Sequence, residues 1–309
     1  MKALLHSLVI ILILPAAASG KCRIPEYLHG QWLHMENGSV FNTIITADKW
    51  EINSDRNNER TELTCEKLNV HPKTDSQGDD GNNVTMLMTK SDGPACYYCV
   101  DVLWRTPNVL QFQKGGCIKD QSGMSTRNIL SYCMYASGQP QNRQPFVKNL
   151  ETLFRKSPQK MNCNDILVFD GIYQFSYEME YRDDGVCNSS KSQIEACQVD
   201  GSPYVDNEVF HITYDSCPGV STPRHKKVRY QCMGAWSAEM YGQKYKFAAV
   251  RDVVESNPKE EFKCMLTIEH AMWPQEYWVM SRFSQCRHLQ SLYRGPVRLR
   301  LTRKRRCEN

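Results

Sequence analysis

The chain has 309 residues, a formal net charge of +4 and 14 cysteines. Seven cations crowd into residues 294–309 against the single acid Glu308, so the rest of the chain is close to neutral. That balance argues against nucleic acid as a partner, because a nucleic-acid-binding fold carries its positive field on its body.

Residues 1–20 open with Lys2, run apolar from Ala3 to Leu14 with only His6 and Ser7 intervening, and end in Pro15 and the small residues Ala16 to Gly20. This is the layout of a cleavable secretory signal peptide, with cleavage expected after Ala18 or Gly20. The apolar run is about a dozen residues, short of the roughly 20 that span a bilayer. No later stretch has the length of a stop-transfer helix and the C-terminus is basic, so a secreted, extracellular chain without membrane insertion is expected.

The cysteines are Cys22, Cys65, Cys96, Cys99, Cys117, Cys133, Cys163, Cys187, Cys197, Cys217, Cys232, Cys264, Cys286 and Cys307. An even number in an exported chain reads as a disulfide framework. Cys96 and Cys99 have C-x-x-C spacing, but zinc needs a second ligand pair and a redox centre needs a strand-to-helix context. Neither is present, and structural bridging is the reading adopted. Sequons at Asn37, Asn83 and Asn188 lie in polar stretches and are the expected glycosylation sites.

In chain order, alternating apolar and polar residues predict strands near 31–35, 39–46, 49–53, 61–70, 83–90, 97–105, 108–114 and 128–135, separated by Gly, Asn, Asp and Pro clusters. A helix is expected from Pro145 to Lys156, with Leu150, Leu153 and Phe154 on one stripe and Ser157-Pro158 stopping it. The cysteine-free polar segment from Ala136 to Lys160 leaves six cysteines before it and eight after. Each half can therefore close its own bridges. Further strands are expected at 173–179, 193–199, 210–214, 227–233, 243–249, 261–267, 275–282 and 296–301. The fold class is all-β: two disulfide-stapled antiparallel barrel modules, 21–156 and 157–293, with a short helix after the first and a basic tail at 294–309.

Both halves open alike. Cys22 stands eight residues before Gly30-Gln-Trp32, and Cys163 eight before Gly171-Ile-Tyr173, the mark of a duplicated module. Gly234-Ala-Trp236 repeats the triplet without the cysteine spacing. Gly30-Gln-Trp32 is similar to the opening of lipocalin-type barrels, where the tryptophan closes one end. The segments CRIPEYLHGQW, CYYCVDVLWRTPNVLQFQKGGC, LETLFRK and CNDILVFDGIYQFSYEMEY resemble a family of metazoan secreted proteins built from cysteine-bordered, lipocalin-like modules. The resemblance implies fold and compartment, and it carries no site residues.

Chemistry is sparse. His29 and His34 are spaced like half of a zinc finger but lack a cysteine pair and are read as strand-edge residues. No nucleophile elbow or phosphate-cradling loop occurs, and Asp79-Asp80, Asp183-Asp184 and Glu260-Glu261 sit in hydrophilic turns. No enzymatic activity, metal or cofactor is expected. The alternating Val84, Met86, Met88, Tyr98, Val102 and Trp104 fill a core or line a cavity for an apolar ligand, with filling favoured. Trp32 and Trp236 are read as barrel plugs.

The C-terminal run has three readings: a solvated basic end, a convertase site at Arg303 to Arg306, or a polyanion site built from Arg298, Arg300, Arg303, Lys304, Arg305 and Arg306. The functional expectation is a secreted binding protein for a small apolar ligand or a sulfated or acidic matrix polymer. The alternative is a structural component of an extracellular or biomineral matrix.

Overall fold

The computed structural model describes residues 22–306 except 37, 57–58, 72–82, 91–95, 120–132, 134–149, 162–170, 180–184, 198–208, 224, 241–242, 269–275, 281–285, 287–288 and 290–296. The architecture is two closed, all-antiparallel barrels of eight strands each. The first contains β1 (Gly30–Glu36), β2 (Ser39–Ile45), β3 (Lys49–Ser54), β4 (Arg60–His71), β5 (Asn83–Lys90), β6 (Cys96–Thr106), β7 (Val109–Lys119) and β8 (Glu151–Arg155). Each strand pairs with the next, and β8 returns to β1 through Trp32↔Arg155 and Leu33↔Phe154.

The second barrel contains β9 (Gly171–Met179), β10 (Gln193–Glu195), β11 (Val209–Thr213), β12 (Lys227–Met240), β13 (Gln243–Asp252), β14 (Phe262–Ile268), β15 (Glu276–Met280) and β16 (Val297–Arg306). It closes where β16 pairs with β9 from Val297↔Met179 to Arg306↔Gly171. Closure leaves no open sheet edge in either barrel, which removes the commonest route to edge-to-edge aggregation.

Two expectations are corrected, and a third lies almost wholly outside the described residues. The described part of the helix placed at 145–156 is strand β8, whose Leu153 faces the first barrel's core while Phe154 faces the second barrel. A strand buried on both faces loses its period of two, and its apolar run then passes for a helical stripe. The strand placed at 128–135 falls outside the described residues apart from Cys133, which is helical. Residues 297–306 are no tail: they form β16, with Leu299 and Leu301 buried in the second core, β9 paired along the strand and β15 paired with Val297–Leu301.

Among the described residues, one cluster of buried side chains packs inside each barrel. In the first, Trp32, Trp50, Val84, Met86, Val102 and Leu110 pack together above the entry segment, whose short 3-10 turn at Glu26–Leu28 inserts Leu28. In the second, Tyr173, Phe175, Tyr177, Phe210, Tyr214 and Tyr230 dominate. Tyr214 meets Phe175 and Tyr177 edge-on, each at 5.4 Å between centroids, a favourable geometry for aromatic quadrupoles.

The barrels dock through their outer faces. Leu33, Val109 and Phe154 of the first meet Trp236, Phe247 and Phe262 of the second in one apolar cluster. Phe154 stacks on Phe262 at 4.8 Å, and Trp236 on Phe247 at 5.6 Å. Trp236 is thus an interface residue on an outer wall, not a plug; a register shift between Cys232 and Gly234 puts it on the outward parity. Thr106 Oγ1 donates to the Met233 carbonyl at 3.1 Å across the junction. The connecting chain is anchored too, since Asn108 exchanges two hydrogen bonds with the Gln159 backbone at 2.7 and 2.8 Å.

Five bridges are Cys22–Cys65, Cys96–Cys117, Cys99–Cys133, Cys187–Cys217 and Cys264–Cys286, each within one barrel. Cys197 and Cys232 are also disulfide-bonded. Cys163 and Cys307 lie outside the described residues. The two cysteines of the C-x-x-C pair bridge to different partners, so that spacing serves the scaffold.

Candidate functional site

The duplicated opening has a structural meaning at the seam of each barrel. Trp32 is fully buried, its indole N–H donates to the Leu28 carbonyl at 3.1 Å, and the Arg155 guanidinium lies 4.4 Å over its ring. Gly30 has φ +143°, and a Cβ there would come within 2.7 Å of Arg155 Nη1, so the arginine needs the glycine. In the second barrel, a Cβ on Gly171 would overlap the Arg305 carbonyl oxygen. Tyr173 pairs in register with Arg303 as Trp32 pairs with Arg155. Leu153-Phe154-Arg155-Lys156 and Leu301-Thr302-Arg303-Lys304 are the matching closing sequences. Arg303 therefore holds the place in the second barrel that Arg155 holds in the first.

The sequence reading missed His34. It lies two residues after Trp32, hence on the same inward face, and it is buried rather than at a strand edge. Its Nδ1 shares a 3.2 Å hydrogen bond with Thr43 Oγ1. The ring stacks on Phe41 at 5.0 Å and meets Phe112 edge-on at 5.4 Å. Burial, reinforced by the positive charge of Lys114, pulls its pKa down to about 4, so the imidazole is neutral at physiological pH. Beside this cluster Phe41, Ile52 and Tyr98 are half-buried, and Lys114 lies 5.3 Å over the Tyr98 ring. The Trp50 indole N–H, buried against Phe112, has no hydrogen-bond partner among the described residues.

In the second barrel burial pushes the Tyr214 and Tyr230 phenols up, so both stay protonated. Tyr177 donates to the Asp215 carbonyl at 2.8 Å. Among the described residues no three His, Cys, Asp or Glu side chains converge as metal ligands would.

The basic run is ordered by the ladder. Leu299 and Leu301 point inward, which turns Arg298 and Arg300 outward, and Arg298 forms an ion pair with Glu178 on β9. The register shifts between Arg303 and Arg305, a bulge that leaves Lys304 out of the β9 pairing. Arg300, Arg303, Lys304, Arg305 and Arg306 are exposed. The six cations proposed from sequence thus lie on one strand, but with different faces and partners.

This pairing bears on the convertase reading. A protease binds its target as a free extended segment, and here Arg303, Arg305 and Arg306 are already paired with Tyr173, Ile172 and Gly171. The folded protein is expected to resist cutting within that run by a dibasic-specific protease, while reduced and unfolded chain is cut readily. Mass mapping of timed digests checks this, and rapid native cleavage after Arg306 would contradict it.

Of the sequons, Asn188 is exposed beside Cys187. Asn37 lies outside the described residues, and Asn83 begins β5, with the Thr85 of its sequon buried and bonded to Asp101 at 2.7 Å. Among the described residues no helix is long and apolar enough to cross a membrane.

Residues 20–137 match DUF7044, a domain of unknown function, and residues 159–303 match DUF7042, another domain of unknown function. No curated protein and no solved structure matches the chain. Each domain match covers most of one barrel, and β8 lies between the two.

Proposed function

We propose that the chain is an exported, N-glycosylated, non-enzymatic protein that binds an acidic extracellular polymer through the cations of β16. The leader-like N-terminus, the disulfide framework and the exposed Asn188 sequon support the compartment. The observation that carries the binding role is the concentration of exposed Arg300, Lys304, Arg305 and Arg306 on a strand paired into a barrel wall. The backbone of such an array is preorganised, so binding orders side chains but not main chain, and arginine's planar fork suits sulfate and carboxylate. The clusters of buried side chains inside both barrels favour a surface ligand over an enclosed one.

A second reading, an apolar ligand at the half-exposed aromatic end of the first barrel, draws on the unpartnered Trp50 N–H, a donor suited to a ligand acceptor. A structural role in a matrix is the alternative from another class, and it predicts recovery from an insoluble fraction.

On a heparin column the protein should be retained at physiological salt and released as salt rises, since the screening length falls from ~10 Å at 0.1 M to ~3 Å at 1 M. Lys304→Ala, Arg305→Ala and Arg306→Ala together should lower the elution salt clearly. Stability should change by no more than about 0.5 kcal/mol per site, as for exposed charges generally. Unchanged elution would remove β16 as the attachment strand.

A further inference from the structure

The second barrel carries another cluster of cations, Lys226, Lys227 and Arg229, overshadowed in the sequence by the C-terminal run; the neighbouring His225 pairs with Glu255 at 3.3 Å, and Lys226 lies close enough to Asp215 to act on it. Val228 points into the core, so Lys227 and Arg229 at the start of β12 have the outward parity, and His225 and Lys226 are exposed in the approach to the strand. The ladder registers connect this cluster to β16. Arg229 pairs with His211, His211 with Glu195, Glu195 with Ile172, and Ile172 with Arg305. One row across five strands therefore joins the two clusters, a span of about 19 Å at ~4.8 Å per strand.

The surface between them is polar. The next row runs Lys227, Thr213, Gln193, Gln174 and Thr302, all on the outward parity. The carboxylates on the described outer faces of β9 and β10 are both engaged: Glu195 accepts from Gln193 Nε2 at 2.6 Å, and Glu178 holds Arg298. The first barrel docks elsewhere, on the outer faces of β13, β14 and the later part of β12.

We infer that the acidic polymer lies across this wall, from the β16 cations to Lys226, Lys227 and Arg229, and that it is a linear sulfated or carboxylated polysaccharide. The inference rests on the function proposed above and deepens it. Anionic groups at both ends meet cations, while amide and hydroxyl side chains midway suit sugar hydroxyls. An anionic membrane would instead be met by a patch of bulky exposed apolar side chains, whereas the well-exposed ones among the described residues, Val70, Val186 and Val254, lie singly on three separate segments, with Val254 alone beside the Arg229 end. His211 reports on the site: burial, then the charges of Lys227 and Arg229, lower its pKa against the opposing pull of Glu195.

The test uses the full chain with heparin fragments of defined length. For an octasaccharide, Lys226→Ala with Lys227→Ala should weaken binding about tenfold and make the salt dependence shallower by about two contacts. A disaccharide, too short to reach both clusters, should bind weakly and be indifferent to that change. The His211 ring resonances should titrate at higher pH when the octasaccharide is bound. Loss of binding on Lys304→Ala and Arg305→Ala, with the Lys226 and Lys227 variant unaffected, would overturn this inference and leave the proposed function standing. Absence of heparin binding by the unaltered protein would overturn both. Tight binding to phosphatidylserine vesicles that the octasaccharide does not compete away would replace the polysaccharide by a membrane.

Discussion

Trp32→Ala is expected to destabilise the protein by about 3–5 kcal/mol, the range for deleting a large buried aromatic side chain. The side chain is fully enclosed, it supplies the hydrogen bond that fixes Leu28 of the entry segment, and it carries the Arg155 guanidinium on its face. Truncation would leave a cavity at the closed end and strip the arginine of its cation–π contact, itself contributing about 0.5–2 kcal/mol. Trp32→Phe should recover part of the loss by filling the space without the N–H. Denaturant unfolding of the disulfide-intact protein measures both, and a loss below about 1 kcal/mol for Trp32→Ala would show that the tryptophan is not the keystone of that end.

Acidification should weaken the fold through His34. Its pKa in the folded chain, about 4, lies below the ordinary 6.5, so the unfolded chain takes up the proton first. Stability contributed by the neutral ring is complete above pH ~6.5 and is lost as pH falls towards 4, where the difference reaches about 3 kcal/mol. Below that both states are protonated and the loss levels off. Carboxylates such as Asp215 and Glu255, held below their usual range chiefly by hydrogen bonds from Ser189 and the Asn257 backbone, add acid sensitivity of their own. The informative quantity is therefore the difference between the protein and His34→Gln: the variant should show a shallower decline between pH 7 and 4. Parallel declines would mean that the ring is solvated, and the buried Thr43, Phe41 and Phe112 setting would have to be revised.

The same local physics explains what the sequence revealed and what it hid. Strands with one wet face, such as β9 with Tyr173, Phe175 and Tyr177 inward and Gln174, Ser176 and Glu178 outward, announced themselves by period two. β8 did not, because the second barrel buries its outer face as well, and Leu153-Phe154 then reads as one apolar run. Trp236 was misassigned for a related reason: the register shift at Cys232/Gly234 reverses the faces along β12, and a one-residue bulge is invisible to a pattern count. Arg303 was legible as a cation but not as a seam residue, since its likeness to Arg155 emerges only from the ladder. Likewise the run from His225 to Arg229 was present in the sequence. Only the strand order showed that it faces the same wall as Arg305.

Docking through Phe154, Phe262 and Trp236 leaves the two barrels sharing an apolar interface, so the polar wall of β16, β9, β10 and β11 is carried on a rigid body. On the function proposed above, the first barrel, the bridges and the seams supply stability, and the opposite wall of the second barrel meets the polymer. Hydrogen–deuterium exchange of the intact protein, with and without a heparin octasaccharide, tests that claim most directly. Slowed exchange in peptides covering 297–306 and 225–231, with 30–54 unchanged, is the predicted result. Protection confined to the first barrel, or absent from β16, would contradict it.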